Sequence, residues 1–312
     1  MDFSVCNLIT KIPDLSMTPN IKQLKLNRCT NLVEIDDSVG RLDKLEVWHL
    51  YHCKKLETLP NCLTMKSLRS FILNGCNRIK KFPNILHEMK GVKYLHLPVS
   101  CNELPPSFGN LIGLMDLTGG TFDSSSAHAM DSFYNLRHIE NVEIDRQPMC
   151  NSLGCSSKYV FPMLKKLELF GYTIRSKIEF ILNYCCPLTL EELQIHESKV
   201  VTLSKIMSRC ERLHTLFIRG CNELREILRL PERLHTLDIG DCDELREIPR
   251  LPHSIRRVEV ESCHSLDLQS FFQVYLSLKD IKKLFVLPSQ ILYDLLRCNL
   301  LNLLIACSCF EK

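Results

Sequence analysis

Two consecutive segments of the chain, Glu211–Pro231 and Glu232–Pro252, are identical at 16 of 21 positions. Tandem copies this short cannot each fold around a core of their own. Each must bury its apolar side against the next copy, so the chain has to stack. Of the five differences, Phe217/Asp238, Arg219/Gly240 and Gly220/Asp241 fall within or just after a short alternating stretch, at positions predicted to point outward. The buried letters are kept and exposed ones vary. A recognition surface laid over a fixed scaffold has this look, and so does neutral drift of a solvated face.

The same arrangement, L-x-x-L-x-L-x-x-C-x-x-L, extends through the chain. Ile21, Leu24, Leu26, Cys29, Leu32 and Ile35 form one copy. Leu45, Trp48, Leu50, Cys53, Leu56 and Leu59 form the next, and Leu68, Phe71, Leu73, Cys76, Ile79 and Phe82 a third. Further copies open at Val92, Leu114, Leu136, Leu164, Leu190, Leu213, Leu234 and Ile255, with start-to-start spacings of 24, 23, 24, 22, 22, 28, 26, 23, 21 and 21. Periods of about 20–29 residues with this lettering are those of leucine-rich repeats. The fold class expected is therefore α/β: a leucine-rich repeat solenoid, or horseshoe, with a parallel sheet on its concave face.

The letters supply the physics. Alternating x-L-x-L-x makes a short strand with one buried and one open face. Strands are expected near 23–27, 47–51, 70–74, 93–97, 166–170, 192–196, 215–219, 236–240 and 257–261. The Cys that follows sits where the chain turns inward, a small apolar thiol with its weak S–H toward backbone carbonyls. Cys29, Cys53, Cys76, Cys221, Cys242 and Cys263 fill this slot, and Cys6 fits it. Pro60, Pro83, Pro105 and Pro249 are expected to end regular pairing and begin the outer segment. Trp48 occupies a core Leu position, which predicts packing rather than ligand contact.

Residues 1–269 are read as the solenoid and 270–312 as an apolar, helical tail or cap. Gly- and Ser-rich stretches near 118–135 and 145–160 read as loop insertions. Residues 1–20 open in mid-repeat without a cap, which reads as a piece of a longer chain or a truncated gene product. Ile291–Phe310 is apolar, but Asp294, Arg297, Asn299 and Asn302 interrupt it, so a capping helix is expected over a membrane span.

Lys+Arg 39 against Asp+Glu 36 gives a net charge of +3, too near neutral for nucleic acid or an anionic membrane to be the expected partner. The 17 cysteines, an odd number, come without a secretory signal or an Asn-x-Ser/Thr sequon. A reduced, intracellular compartment follows, the cytoplasm or the nucleus. No Gly precedes Lys, so a Walker A loop is absent, and G-x-G-x-x-G, H-E-x-x-H and G-x-S-x-G are absent too. The slot cysteines follow the solenoid period rather than converging, and Cys150/Cys155, Cys185/Cys186 and Cys307/Cys309 lack zinc-site spacing. No enzyme activity, cofactor or metal is expected.

The Cys-containing repeats resemble the leucine-rich repeat region of plant intracellular immune receptors of the Toll/interleukin-receptor, nucleotide-binding, leucine-rich-repeat class. The resemblance is carried by Asp2-Phe3-Ser4, Lys11-Ile12-Pro13-Asp14-Leu15-Ser16 and Pro19-Asn20-Ile21. It continues through Leu32-Val33-Glu34-Ile35, Asp37-Ser38-Val39-Gly40, Leu42-Asp43-Lys44-Leu45 and Gly75-Cys76. Phe82-Pro83 with Ile85-Leu86 and Met89, then Glu103-Leu104-Pro105 with Ser107 and Asn110-Leu111, follow in order. It is close over 2–117 and looser over 160–266. It implies a module that senses pathogen effectors and restrains a nucleotide-binding switch. The Toll-like and nucleotide-binding motifs are not in this sequence, so their activities are not carried over, and the tail after 270 does not resemble the β-sandwich that often follows such repeats. The implied partner is protein: an effector, or the nucleotide-binding domain of a resistance protein. A substrate receptor for ubiquitin ligation is the alternative, because its repeats also use Cys here, but it calls for an F-box where residues 1–20 are already repeat. An extracellular receptor would carry a signal peptide, sequons and Asn in the Cys slot.

The outward positions of the predicted strands give the candidate binding face. Toward the N-terminus these include Gln23, Lys25, Arg28, His49, Tyr51, His52, Tyr94 and His96, a basic and aromatic set. Toward the C-terminus they include Glu192, His196, Glu197, Phe217, Arg219, Asp238, Asp241, Glu259 and Glu261, mostly acidic. Lys25, Arg28, His49, Tyr51, His52, Tyr94, His96, Phe217, Arg219, Asp238 and Asp241 are the candidate contacts.

Overall fold

Alternation of apolar and polar residues does produce strands, and each lies parallel beside the strand of the next repeat. A computed structural model describes residues 1–120, 132–145, 161–171, 188–203 and 210–267. It divides into two units, Met1–Leu190 and Glu191–Lys312. Most of both predicted loop insertions, the three Cys pairs without zinc spacing and the tail lie outside the described residues.

In the first unit the strands are Gln23–Lys25, Val47–His49, Ser70–Ile72, Tyr94–His96, Asp116–Thr118, Asn141–Asp145 and Lys166–Phe170. Each pairs in parallel with its neighbour in chain order. Two of them, Asp116–Thr118 and Asn141–Asp145, belong to the repeats opening at Leu114 and Leu136. The inward row is Leu24, Trp48, Phe71, Leu95, Leu117, Val142 and Leu167, all buried. Trp48 packs as expected: it stacks on Phe71, its register neighbour, with ring centroids 4.4 Å apart. A second aromatic series continues through the core, Phe71, Phe82, Phe108, Phe133 and Phe161, with successive centroids 5.5–6.0 Å apart. These large rings pack against one another in series through the core.

The turn out of the strand is built the same way in repeat after repeat. The residue before the slot Cys takes a left-handed conformation: Arg28, His52 and Gly75 in the first unit, Gly220, Asp241 and Ser262 in the second. The Cys then buries its thiol against backbone. Cys29 donates to the Phe3 carbonyl at 3.1 Å, Cys53 to Leu26 at 3.0 Å and Cys76 to Leu50 at 2.9 Å. Cys242 and Cys263 make longer contacts of 3.3 and 3.4 Å to Gly240 and Glu261.

Pro60 and Pro83 do not end pairing altogether. Immediately after them Cys62–Leu63 pairs with Asn84–Ile85, and Lys11–Ile12 likewise pairs with Glu34–Ile35, two narrow parallel ladders apart from the main sheet. Outer segments hold the 3-10 helices Asp37–Arg41, capped by Asp36, and Pro106–Asn110. Ser38 and Ser107 play matching parts there. Each hydroxyl accepts a backbone N–H from the preceding repeat, Leu15 at 2.8 Å and Ile85 at 2.9 Å. Polar residues thus satisfy backbone groups that stacking would otherwise bury unpaired.

In the second unit Glu192–His196, Thr215–Arg219, Thr236–Gly240 and Arg257–Glu261 pair in parallel, each to the next. Two inward rows are buried, Leu193, Leu216, Leu237 and Val258, then Ile195, Ile218, Ile239 and Val260.

Candidate functional site

The outward face of each sheet follows directly from the register. In the first unit one row reads Gln23, Val47, Ser70, Tyr94, Asp116, Asn141 and Lys166. The other reads Lys25, His49, Ile72, His96, Thr118, Glu143 and Glu168. Lys25, His49, Tyr94 and His96 therefore stand on the sheet as expected. Arg28, Tyr51 and His52 lie beyond the strand ends, in the turn before the slot Cys, and Asp241 does the same in the second unit. The strands before Arg28, Tyr51 and His52 are three residues long, so these side chains rim the sheet rather than stand on it. Tyr51 packs edge-on against His52 at 4.1 Å.

The basic character expected of the N-terminal set rests on Lys25 and Arg28. Burial lowers the pKa of His49 below its ordinary value, and Lys25 and His96 add to the effect. Burial also lowers His96. Both rings lean toward the neutral form at neutral pH. A ring nitrogen of His49 lies 3.0 Å from the Ser70 hydroxyl. The Nε2 of His96 lies 3.8 Å from Asp116 Oδ1. Burial raises the pKa of Asp116, against the opposing pull of His96. Asp116, Asn141, Glu143, Lys166 and Glu168 were not among the residues singled out from the sequence. Their repeats were recognised, but nothing marked those positions off from ordinary solvated strand faces.

In the second unit the outward rows are Glu192, Thr215, Thr236 and Arg257; Gln194, Phe217, Asp238 and Glu259; and His196, Arg219, Gly240 and Glu261. Asp238 is not the open acidic contact expected. Its side chain is 8% exposed because the Arg219 guanidinium grips it with both Nε and Nη2 at 2.9 Å. Nη1 reaches Glu261 at 3.5 Å. A Cβ at position 240 would lie 3.3 Å from Arg219 Nη1 and 3.4 Å from its Cγ, so Gly240 leaves the lane that this side chain crosses. Two of the three outward differences between the duplicated segments, Phe217/Asp238 and Arg219/Gly240, are thereby linked in one interaction. Elsewhere on this face Gln194 donates to Glu192 at 2.6 Å, and Arg257 pairs with Glu259.

The cysteines serve the core. Burial pushes the Cys101 thiol up to about 12, and contact with Cys53 together with burial raises Cys76. Such thiols stay protonated and are poor nucleophiles and poor metal ligands. Among the described residues no group of three His, Cys, Asp or Glu could hold a metal ion, and no helix is long and apolar enough to cross a membrane. Cys101 also occupies the slot, although it was not assigned there. Four positions separate it from Leu97 where the regular repeats have three. A groove of about 430 Å³, likewise unforeseen, runs beside the narrow ladders and is lined by Glu34, Asp37, Glu57, Pro60, Lys81 and Pro83, among others.

The family model for the leucine-rich repeats of RPS4B-like disease resistance proteins matches residues 64–269, more than half of the chain. Disease resistance protein RPP4 of Arabidopsis thaliana is 39% identical over 217 residues, 69% of this chain and 16% of that protein. Protein SUPPRESSOR OF npr1-1, CONSTITUTIVE 1 of the same plant is 29% identical over 209 residues, 67% of this chain and 13% of that one. The TMV resistance protein N of Nicotiana glutinosa is 33% identical over 108 residues, 34% of this chain and 9% of it. The chain thus spans less than a fifth of the length of these relatives. Among solved structures, the leucine-rich repeat domain of the type III effector XopL aligns with a TM-score of 0.43 at 18% identity, covering 74% of this chain and 77% of that one.

Proposed function

We propose that this chain, which belongs to the leucine-rich repeats of the RPS4B-like disease resistance proteins, is a non-catalytic protein-recognition array of plant immunity. Its outward sheet face is the contact surface, for a pathogen effector or for the nucleotide-binding domain of a resistance protein, and it works inside the cell, in the cytoplasm or the nucleus. The observation that carries this reading is the first unit's face. A fixed inward row of buried residues holds an outward display of Lys25, His49, Tyr94 and His96 in register, with Arg28 and Tyr51 at its rim. Tyr94 and Tyr51 are 51% and 37% exposed, and Tyr and Arg are the residue types that most often anchor protein interfaces. A rigid sheet loses little freedom when a partner docks on it.

The test is a binding assay against a candidate effector and against the nucleotide-binding domain. Charge reversal of Lys25 and Arg28 should slow association and change its salt dependence, while Tyr51→Ala and Tyr94→Ala should chiefly speed dissociation. Unchanged affinity in all four, with loss on substituting Glu57 and Lys81 beside the narrow ladders, would move the contact surface away from the sheet.

A further inference from the structure

We infer that the turn edge of the first unit, centred on Arg28, Lys54 and Lys55 beside Tyr51, is a docking strip for an acidic segment of the protein partner. It carries the contact surface proposed above outward past the rim of the sheet, and rests on that reading for the partner being a protein. The turns that hold the slot position share one backbone form in both units. A left-handed residue precedes the slot at Val5, Arg28, His52 and Gly75 in the first, and at Glu197, Gly220, Asp241 and Ser262 in the second. The two units charge these turns oppositely. Ser4–Leu8, Asn27–Asn31, Tyr51–Lys55 and Asn74–Arg78 hold four Lys or Arg and no Asp or Glu. His196–Val200, Arg219–Glu223, Gly240–Glu244 and Glu261–Ser265 hold six acids against Lys199 and Arg219.

Charge on or beside these turns can be matched from a neighbouring repeat. Arg78 meets Glu57 at 2.6 Å, Lys199 meets Glu223 at 3.2 Å and Arg225 meets Glu244 at 2.8 Å. Arg28, Lys54 and Lys55 are not matched. The exposed side chains of Arg28 and Lys54 make no hydrogen bond or ion pair among the described residues. Lys55 donates to the neutral Asn31 Oδ1 at 2.8 Å, which fixes its ammonium and leaves the charge unspent. Like charges on adjoining turns repel, and carboxylates brought from outside relieve that repulsion. The surroundings hold the strip still. The Arg28 N–H donates to the Tyr51 carbonyl at 2.6 Å, and the Tyr51 N–H to Asn27 Oδ1 at 3.1 Å. Gly75 makes room for the His52 ring, since a Cβ there would lie 2.2 Å from His52 Nδ1. The open Tyr51 ring packs edge-on against His52 in turn. One phenol among a few placed cations suits a short peptide with carboxylates. A nucleic acid strand calls for successive rings to stack its bases along a longer basic groove.

The experiment needs no identified partner. A labelled octapeptide of alternating Asp and Glu is titrated into the full chain at low salt, and the same peptide with Asn and Gln serves as the uncharged comparison. The acidic peptide should bind about tenfold more tightly than the amide peptide, less so as salt rises, and about tenfold more weakly to the double variant Lys54→Glu and Lys55→Glu. Lys54→Gln with Lys55→Gln removes the charges without adding acids, and keeps the test valid if the first pair perturbs folding. Lys66→Glu with Lys90→Glu makes the same change in net charge on the turns before the strands, and should alter binding by less than about twofold. Unchanged binding by a folded double variant at 54 and 55 overturns the strip. So does an equal loss in the Lys66 and Lys90 control, or tighter binding of an eight-residue oligothymidylate than of the acidic peptide. The two readings fail separately. Peptide binding at the strip, with no effect of strip or face substitutions on the effector or the nucleotide-binding domain, would leave the strip standing and remove the recognition surface. Face substitutions that weaken those partners, with no binding of the acidic peptide, would do the opposite.

Discussion

The faces of the two units differ in how far their charged groups are engaged with one another. In the second unit charged groups are spent on one another, Arg219 on Asp238 and Glu261 and Arg257 on Glu259, and the neutral Gln194 donates to Glu192. In the first, Tyr94 stands open and Asp116 keeps an unbonded oxygen. Charge counted along a sequence is therefore a poor guide to charge offered at a surface. What decides is which opposite charges come within reach of each other, on one strand as for Arg257 and Glu259 or on neighbouring strands as for Arg219 and Asp238.

The largest test concerns the core that both faces stand on. Leu237→Ala removes a buried side chain and should cost about 2–5 kcal/mol. Coupling in a stacked array is between neighbours, so hydrogen exchange should loosen in the repeats around 215–261 and spare 20–60. Equal loosening at both places would mean that the chain unfolds as one block. The next test is the self-pairing itself. Arg219→Ala leaves Asp238 buried without its donor and should lower stability by about 1–3 kcal/mol in chemical denaturation. Lys25→Ala, on the sheet face of the first unit, should change stability by less than about 0.5 kcal/mol. If the two losses were alike, the distinction between paired and open faces would not hold. In partner binding the order should reverse, with Tyr94→Ala costing about 2 kcal/mol and Phe217→Ala less, read from dissociation rates.

The smallest effect is one of pH. His49 and His96 have pKa values lowered in the folded chain, so the unfolded chain takes up their protons first. Stability that they support is whole above their ordinary value near 6.5 and declines as pH falls below it. Asp116 has a raised value, so the cost of its buried charge is relieved on acidification, with the opposite sign and in a more acid window. Melting temperature followed from pH 7.5 to 5.5 should fall, and the double substitution His49→Gln and His96→Gln should flatten that decline.

Much of the scaffold was readable because one rule, alternate residues inward, is repeated often enough to average out local exceptions. Leu24, Trp48 and Leu237 were placed in the core from period alone, and all three are fully buried. The slot cysteines were read correctly as packing thiols for the same reason. Cys101 escaped because one extra residue after Leu97 breaks the count while the backbone absorbs it: the Cys101 amide still bonds back to Pro98 at 3.0 Å. The left-handed turn was visible only where Gly75 and Gly220 mark it. Arg28, His52 and Asp241 adopt it without any such sign in the sequence. The face was harder still. Whether Asp238 is a contact or a buried partner depends on a side chain 19 positions away, and periodicity says nothing about which outward letters find each other. The one available clue was that Arg219 and Asp238 both differ between copies otherwise nearly the same.

That ion pair makes the duplicated copies unequal to a genetic editor. Excising Glu232–Pro252 would join the strand Thr215–Arg219 to Arg257–Glu261, and the register would set Glu259 where Asp238 had stood, so Arg219 would keep an acid within reach. Excising Glu211–Pro231 removes the same number of residues at an equally seamless junction, yet it strands Asp238 beside Gln194 with no guanidinium to meet it. Repeat arrays lengthen and shorten by such exchanges. Here the two deletions, nearly indistinguishable as sequence, would leave one array intact and the other carrying an orphaned buried charge.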